Sequence, residues 1–461
     1  MASKRYSKLT IMSSSQKPLD LSARSLALIV TLVFILATYR FFYTLEALQA
    51  FTATNDDLLH GYCDHISAIS SEEFMNRQNN LSQILQDLGA SAYIAEPGAN
   101  TQFFGNFSNV NWRLSERPLL MIVLAQTSEV HSGTQIIILT PKFEATRAKT
   151  LPLPSSTDTR NDLVRFIEWA EESDPYSVAL SAIPRGPEST VFVDQSVRKF
   201  IADGFQRADP TLNVVSAPLK VTHLRERKSE AEIRILKCVN EATLLSIRHV
   251  HKRLYAGIQE SQARKMIADS LQQAGLKEGG CLTLFGENAA LPHGSGTDRI
   301  LKPEEFVLFD CTASLHGYYS DVTRTLALLS GGSQGPSSQH QKIWEDVRNA
   351  QERAFNAVKA GVITSDIDKA ARDALEESGF AEYFTHRLGH GIGLEVHEQP
   401  YLRGGSNDII STGHTFSNEP GVYIEGQVGV RLEDCFFIDL DGYPRYLTEG
   451  VGGPSHSPWD P

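Results

Sequence analysis

No C-x-x-C pair occurs anywhere in the 461 residues, and the five cysteines, Cys63, Cys238, Cys281, Cys311 and Cys435, are scattered. That argues against a cysteine zinc site and against a dense disulfide framework. It leaves room for one disulfide, and the odd count leaves at least one thiol free or bridged to another chain. No repeat of 20–50 residues is visible, which removes solenoids. No long basic stripe exists and the net charge is −12, so a nucleic-acid partner is not expected. His386 and His390 are spaced like the zinc ligands of H-E-x-x-H, but HRLGH lacks the glutamate that serves as base there. The uncharged run at the N-terminus, Ser25 to Tyr39, is 15 residues, short of the roughly 20 that span a bilayer.

What is present is ample core material, 41% hydrophobic over 461 residues, enough for two or three domains. Lys4, Arg5, Lys8, Lys17 and Arg24 make residues 1–24 a basic tail, predicted to be cytoplasmic. Residues 25–45 are a signal-anchor or a cleaved signal segment. Arg40 can snorkel and Phe41-Phe42-Tyr43 suits the headgroup zone, so the uncleaved anchor is favoured. This predicts a single-pass membrane protein with its folded part lumenal or extracellular, or a secreted one if the segment is cleaved. The sequons at Asn80 and Asn106 would then carry glycan.

Residues 46–60 read as a connector. From 61 to 222 the pattern is α/β: a helix ending at Gly89, strands in SAYIAE, LLMIVLAQ, TQIIILT and STVFVD, and a helix in NDLVRFIEWAEE. Ser229 and Glu232 form a capping box that opens a long helix and marks a boundary near 217–229. Residues 223–450 then hold further helices, including two within 340–379 that are each predicted to stop at glycine, and a final third of strands and glycine loops. The tail, 451–461, is predicted to be poorly ordered.

Asp310 and Asp321 are eleven apart around Ser-Leu-His-Gly, which reads as a turn. A hairpin centred between Leu315 and His316 makes them direct cross-strand partners, with Cβ atoms about 5 Å apart. Glu419 and Glu433, fourteen apart, become partners if a second hairpin turns at Gly426, and Arg431 shares the face of Glu433. Facing carboxylates destabilise a sheet unless a cation lies between them. Four carboxylates and an imidazole suit two divalent ions, Mn²⁺ first and Zn²⁺ or Co²⁺ as alternatives. Read singly, each acid is an ordinary solvated residue; one cause explaining both spacings favours the metal reading. GHGIGLEVHE, rich in glycine, puts His390 and His397 on a strand or loop lip.

Together these residues resemble the pita-bread metallopeptidases: Xaa-Pro aminopeptidase, Xaa-Pro dipeptidase (prolidase), methionine aminopeptidase and creatinase. The resemblance covers about 229–450, and 61–222 is similar to the N-terminal α/β domain of the creatinase type. It implies an α+β chain with a C-terminal pita-bread catalytic domain. It further implies a metal-dependent exopeptidase that cleaves the Xaa-Pro bond of peptides or dipeptides, with a hydroxide bridging two metals. Asp310, Asp321, His390, Glu419 and Glu433 would be the ligands. Glu419 would be the base, His293 and His397 would stand at the scissile amide, Arg431 near the ligands, and His386 at the substrate rim. A homodimer is also implied. The alternatives are a metallohydrolase tailoring a secondary-metabolite amide, and an inactive binding module of the same fold.

Overall fold

Tyr93 and Ile94, adjacent in β1 (Ala90–Ala95), point into two different cores, so the first sheet is buried on both faces. The computed structural model describes residues 59–126, 134–154, 164–329 and 335–461. The sheet holds β1, β2 (Leu120–Leu124), β3 (Ile136–Pro141), β4 (Val164–Trp169), β5 (Thr190–Val193) and β6 (Asn213–Ser216), in the order β4-β3-β2-β1-β5-β6. Helix Ser71–Asp87 covers the Tyr93 face with Leu81 and Leu85. Helices Pro175–Ala182 and Lys199–Ala208 cover the Ile94 face. The unbroken apolar strands β2 and β3 are buried at every position, as strands covered on both sides must be.

VRFIEW, part of the segment NDLVRFIEWAEE predicted to be helical, is strand β4. It pairs in parallel with β3 from Ile136↔Val164 to Pro141↔Trp169. Its charges sit on a half-exposed edge strand, where sheet hydrogen bonding overrides a weak helical pattern.

The capping box at Ser229 and Glu232 forms as predicted and starts helix Glu230–His251. Helix Glu260–Gln273 follows, then β7 (Lys277–Phe285), β8 (Val307–Leu315) and β9 (Tyr318–Leu326), paired in that order. The plan then recurs. Helices Ser338–Ala357 and Thr364–Glu377 precede β10 (Gly389–Gly391), β11 (Glu398–Leu402), β12 (Thr415–Asn418), β13 (Gly421–Ile424), β14 (Val428–Arg431), β15 (Asp434–Ile438) and β16 (Pro444–Tyr446). Five of these form a sheet in the order β11-β10-β12-β15-β16, and β13 pairs with β14. The first helix pair shares a core with β8 and β9, the second with β12 to β15. Helix Ser338–Ala357 stops at an extended Val358, ahead of the predicted glycine stop at Gly361.

The two halves meet at Arg324 of β9. Its guanidinium, fully buried, donates to Asp434 at 2.8 and 3.1 Å and to the Glu433 carbonyl at 2.7 Å. Removing one partner would strand a buried charge, at about 3–5 kcal/mol.

The described residues contain two disulfides, one more than the sequence spacing leaves room for: Cys63–Cys238 and Cys281–Cys311. Cys435 is buried and free. The tail is also a correction. The Pro458 carbonyl accepts from the Ala327 amide at 2.8 Å, and Arg248 donates to the carbonyls of Val451 and Pro461. A chain end is ordered when its backbone groups find partners, and these do. The segment 25–45 lies outside the described residues, among which no helix is long and apolar enough to cross a membrane.

Candidate metal centre

The β8–β9 hairpin turns on His316 and Gly317, both at positive φ (52° and 85°). A two-residue turn of this kind needs two left-handed residues. Leu315 would be strained there, whereas Gly317 is not. The hairpin is therefore centred one residue later than the spacing predicts. Asp310 faces Thr323, and Asp321 faces Thr312. The two aspartates are diagonal neighbours on one face instead of direct partners, which relieves part of their repulsion.

The second hairpin keeps its predicted centre. Asn418 pairs with Asp434 and Gly421 with Arg431, so Glu419 and Glu433 stand level with each other. They occupy the gap between two ladders, where Pro420 has no N–H to offer. His390 reaches them from β10, held between β11 and β12. A Cβ on Gly389 would lie 2.1 Å from the Ser417 carbonyl oxygen, and one on Gly391 would lie 2.4 Å from that of Gln399. Glycine is what lets this strand approach so closely.

Among the described residues three groups of donors lie close enough to hold a metal: Asp310, Asp321 and Glu433; His390, Glu419 and Glu433; and Asp321, His390 and His397. In each group the donor atoms lie within 4.8 Å of one another. The His390 Nε2 is 3.1 Å from Glu419 and 3.6 Å from Asp321. Its Nδ1 is 3.0 Å from the Gly391 carbonyl and donates to it; Nε2 would be the lone-pair donor to a bound metal, and without one it can carry a proton toward Glu419.

Burial, then the neighbouring carboxylates, pushes the carboxyls of Asp321 and Glu433 well above their ordinary range. Burial acts on Glu419 in the same sense, but the hydrogen bond and charge of His390 outweigh it and hold Glu419 down at about 2. Glu433 is 1% exposed, and its Oε1 is buried without a hydrogen-bond partner. An orphaned buried oxygen amid three other acids is costly as it stands. A divalent cation would satisfy it, so the donor set fits the metal reading.

The sequence points to two members of the next layer, Arg431 by its spacing to Glu433 and His386 by the resemblance, but not to Thr323, Ser417 or Tyr423. Thr323 donates to Glu433 Oε2 at 2.7 Å, and Ser417 donates to Glu419 at 3.1 Å. Arg431 donates to Asp310 at 2.6 Å and to the Tyr423 hydroxyl at 2.9 Å. Tyr423 in turn reaches His386 Nε2 at 2.8 Å, while His386 Nδ1 lies 2.7 Å from the Arg387 carbonyl. Because Nδ1 must donate to that carbonyl, Nε2 accepts from Tyr423. Burial first lowers the His386 pKa, in keeping with a neutral ring. Gly421 makes room for this chain, since a Cβ there would lie 2.4 Å from the Tyr423 oxygen. One signal could have found these residues: Ser417 and Thr323 lie two positions from a ligand and Tyr423 lies four from Glu419, on the same face.

Residues 234–439 match metallopeptidase family M24. An uncharacterised peptidase of Schizosaccharomyces pombe is 38% identical over 401 residues, covering 86% of this chain and 84% of that protein. The chain belongs to metallopeptidase family M24. A dipeptidase PepE from Mycobacterium ulcerans has a similar structure, with a TM-score of 0.72, 27% identity, and coverage of 83% of this chain and 97% of the other. A prolidase from Thermococcus sibiricus shares the fold, with a TM-score of 0.69, 23% identity, and coverage of 83% and 98%.

The remaining predicted residues of this metallopeptidase are placed as follows. His397 lies just before β11 with its ring edge against His390, centroids 4.3 Å apart. Burial first, then His390 and Arg387, lowers its pKa to about 4. His293 sits on the exposed loop after β7, outside the three donor groups; the carbonyl of its neighbour Pro292 accepts from Arg431 at 3.5 Å. Arg403 is exposed beside the Tyr401 ring. Asn80 is exposed on helix Ser71–Asp87, and Asn106 caps a short helix and donates to the Pro152 carbonyl at 2.9 Å.

Proposed function

We propose that this metallopeptidase hydrolyses the Xaa-Pro bond at the N-terminus of peptides or in dipeptides, with two divalent ions, Mn²⁺ first, in the site. The observation that carries this is the convergence of Asp310, Asp321, His390, Glu419 and Glu433 on overlapping donor groups around the orphaned Glu433 oxygen. Asp321 and Glu433 would be shared between the ions. Ions held by these residues would supply Lewis acidity for activating water and the scissile carbonyl. Glu419 is ionised and can accept the proton of the attacking water. His397, its ring edge against His390, would donate to the developing oxyanion, and His293 would assist from the loop after β7. Selection for proline would come from pocket shape, since the proline amide has no N–H.

The deciding experiment is an assay of Mn²⁺-loaded protein on Xaa-Pro dipeptides and Xaa-Pro-Xaa tripeptides. Cleavage of dipeptides alone would favour the dipeptidase reading, which the likeness to the M. ulcerans dipeptidase supports. Cleavage of neither would refute the proposal. Glu419→Gln should abolish turnover, and retained activity would refute its role as base. The two disulfides also support a lumenal or extracellular setting, where such bonds persist. Non-reducing peptide mapping and glycosidase treatment of the protein from its native membrane fraction would test this setting.

A further inference from the structure

Cys281 of β7 and Cys311 of β8 are direct cross-strand partners joined by a disulfide, one residue along the strand from Asp310. Alternation puts the disulfide on the face away from the donor groups, in the core beneath helix Glu230–His251. On the site face, the residue opposite Asp310 is Leu282.

β7 is an edge strand with a weakly specified start. Lys277-Glu278-Gly279-Gly280 carries a register shift and a positive φ at Glu278 (51°). Glycine-rich edge strands slip easily, and a slip of one residue would turn every side chain to the other face. The regular ladder begins at Gly280↔Thr312, one pair before the disulfide. At its far end β7 runs directly into the 3₁₀ turn Gly286–Ala290 and the loop bearing His293. That loop rests on β7: a Cβ on Gly294 would lie 2.9 Å from Leu284 and 3.6 Å from Leu282. Leu284 also packs with Ala289 and Leu308.

We infer that Cys281–Cys311 is a positioning pair for the metallopeptidase site. It locks the register of β7 against β8, and so holds the His293 loop in fixed relation to Asp310. This inference rests on the functional reading above. The other disulfide, Cys63–Cys238, ties the segment before helix Ser71–Asp87 to helix Glu230–His251 and does not bridge β7; its helix meets the site through Asn240, which accepts from the Asp321 amide at 3.3 Å.

The test compares Cys281→Val/Cys311→Val, which refills the buried cross-strand pair without the covalent bond, with Cys63→Ala/Cys238→Ala. Mn²⁺ affinity by chelator competition, KM and kcat on an Xaa-Pro dipeptide, and hydrogen exchange over 277–300 are measured. The valine pair is expected to weaken Mn²⁺ binding about tenfold and raise KM about tenfold. It should also speed exchange in 286–300, and His293→Ala should add little in that background. The Cys63 pair should lower Tm alone. A folded valine pair with wild-type affinity, KM and exchange would overturn the inference, as would equal shifts in the Cys63 pair. If the valine pair does not fold, exchange over 286–300 in wild-type protein with and without a phosphine reductant decides. Unchanged exchange after verified loss of this disulfide overturns the inference. Wild-type protein that binds Mn²⁺ yet cleaves no peptide would refute the functional reading, while the affinity comparison would still test the pair.

Discussion

The two carboxylate hairpins reach the same chemistry by different mechanics. β8–β9 is one unbroken ladder of nine pairs closed by a tight turn, and its aspartates sit diagonally inside regular strands. The Glu419–Glu433 hairpin is two ladders with a gap, and its acids occupy the gap. Each hairpin supplies one acid common to two donor groups, Asp321 or Glu433, and one that belongs to a single group, Asp310 or Glu419. The continuous ladder fixes spacing through backbone hydrogen bonds. The broken one frees its acids from the pleat, so side-chain partners such as Thr323 and Ser417 must hold them.

The sharpest way to break this comparison is to remove a shared acid. Glu433→Gln should weaken metal binding by more than the roughly 100-fold upper range of outer partners, and by more than Asp310→Asn. Isothermal titration of Mn²⁺ into both variants would check the order; an equal loss would mean the sharing is not real. Next, Tyr423→Phe interrupts the chain from His386 to Arg431 and should cost about 10–100-fold in activity or metal affinity. Full occupancy restored by excess Mn²⁺, with kcat still depressed, would separate orientation from occupancy.

A third expectation concerns pH. Asp321 and Glu433 have raised pKa values, so in the metal-free fold they keep protons that the unfolded chain releases in the ordinary carboxylate range. Their stabilising contribution is complete below that range and is lost as pH rises through the raised values. Glu419, held at about 2, acts in the opposite sense, and its contribution is lost only as pH falls from the ordinary range toward 2. Chelated protein should therefore melt at a lower temperature at pH 9 than at pH 7.5, an interval above the range where the lowered histidines His386 and His397 add the opposite slope, and Mn²⁺ should abolish that difference. A chelated Tm that rises over this interval would contradict the assignment. The smallest effect belongs to the turn. Gly317→Ala, at φ 85°, should cost about 1–2 kcal/mol in denaturant midpoint analysis and leave metal affinity nearly unchanged.

Much of this was readable from the chain. The capping box at Ser229, the apolar strands β2 and β3, and the centre of the Gly426 hairpin follow from local chemistry. The β8–β9 register did not follow, because a midpoint drawn through two aspartates ignores which residues tolerate a left-handed turn. The strand at 164–169 did not follow either, because its partner β3 lies more than twenty residues back in sequence. Thr323, Ser417 and Tyr423 carry no motif of their own and become visible only as same-face neighbours of ligands.

The sequence by itself picked out the five candidate donors, through two hairpin spacings and a family resemblance, and the fold gathers them into overlapping donor groups. Only the tertiary structure decided how the acids face one another, which cysteines pair, and what holds His386. Those depend on register and on contacts between segments a hundred or more residues apart, such as Arg431 with Asp310, which no local pattern encodes.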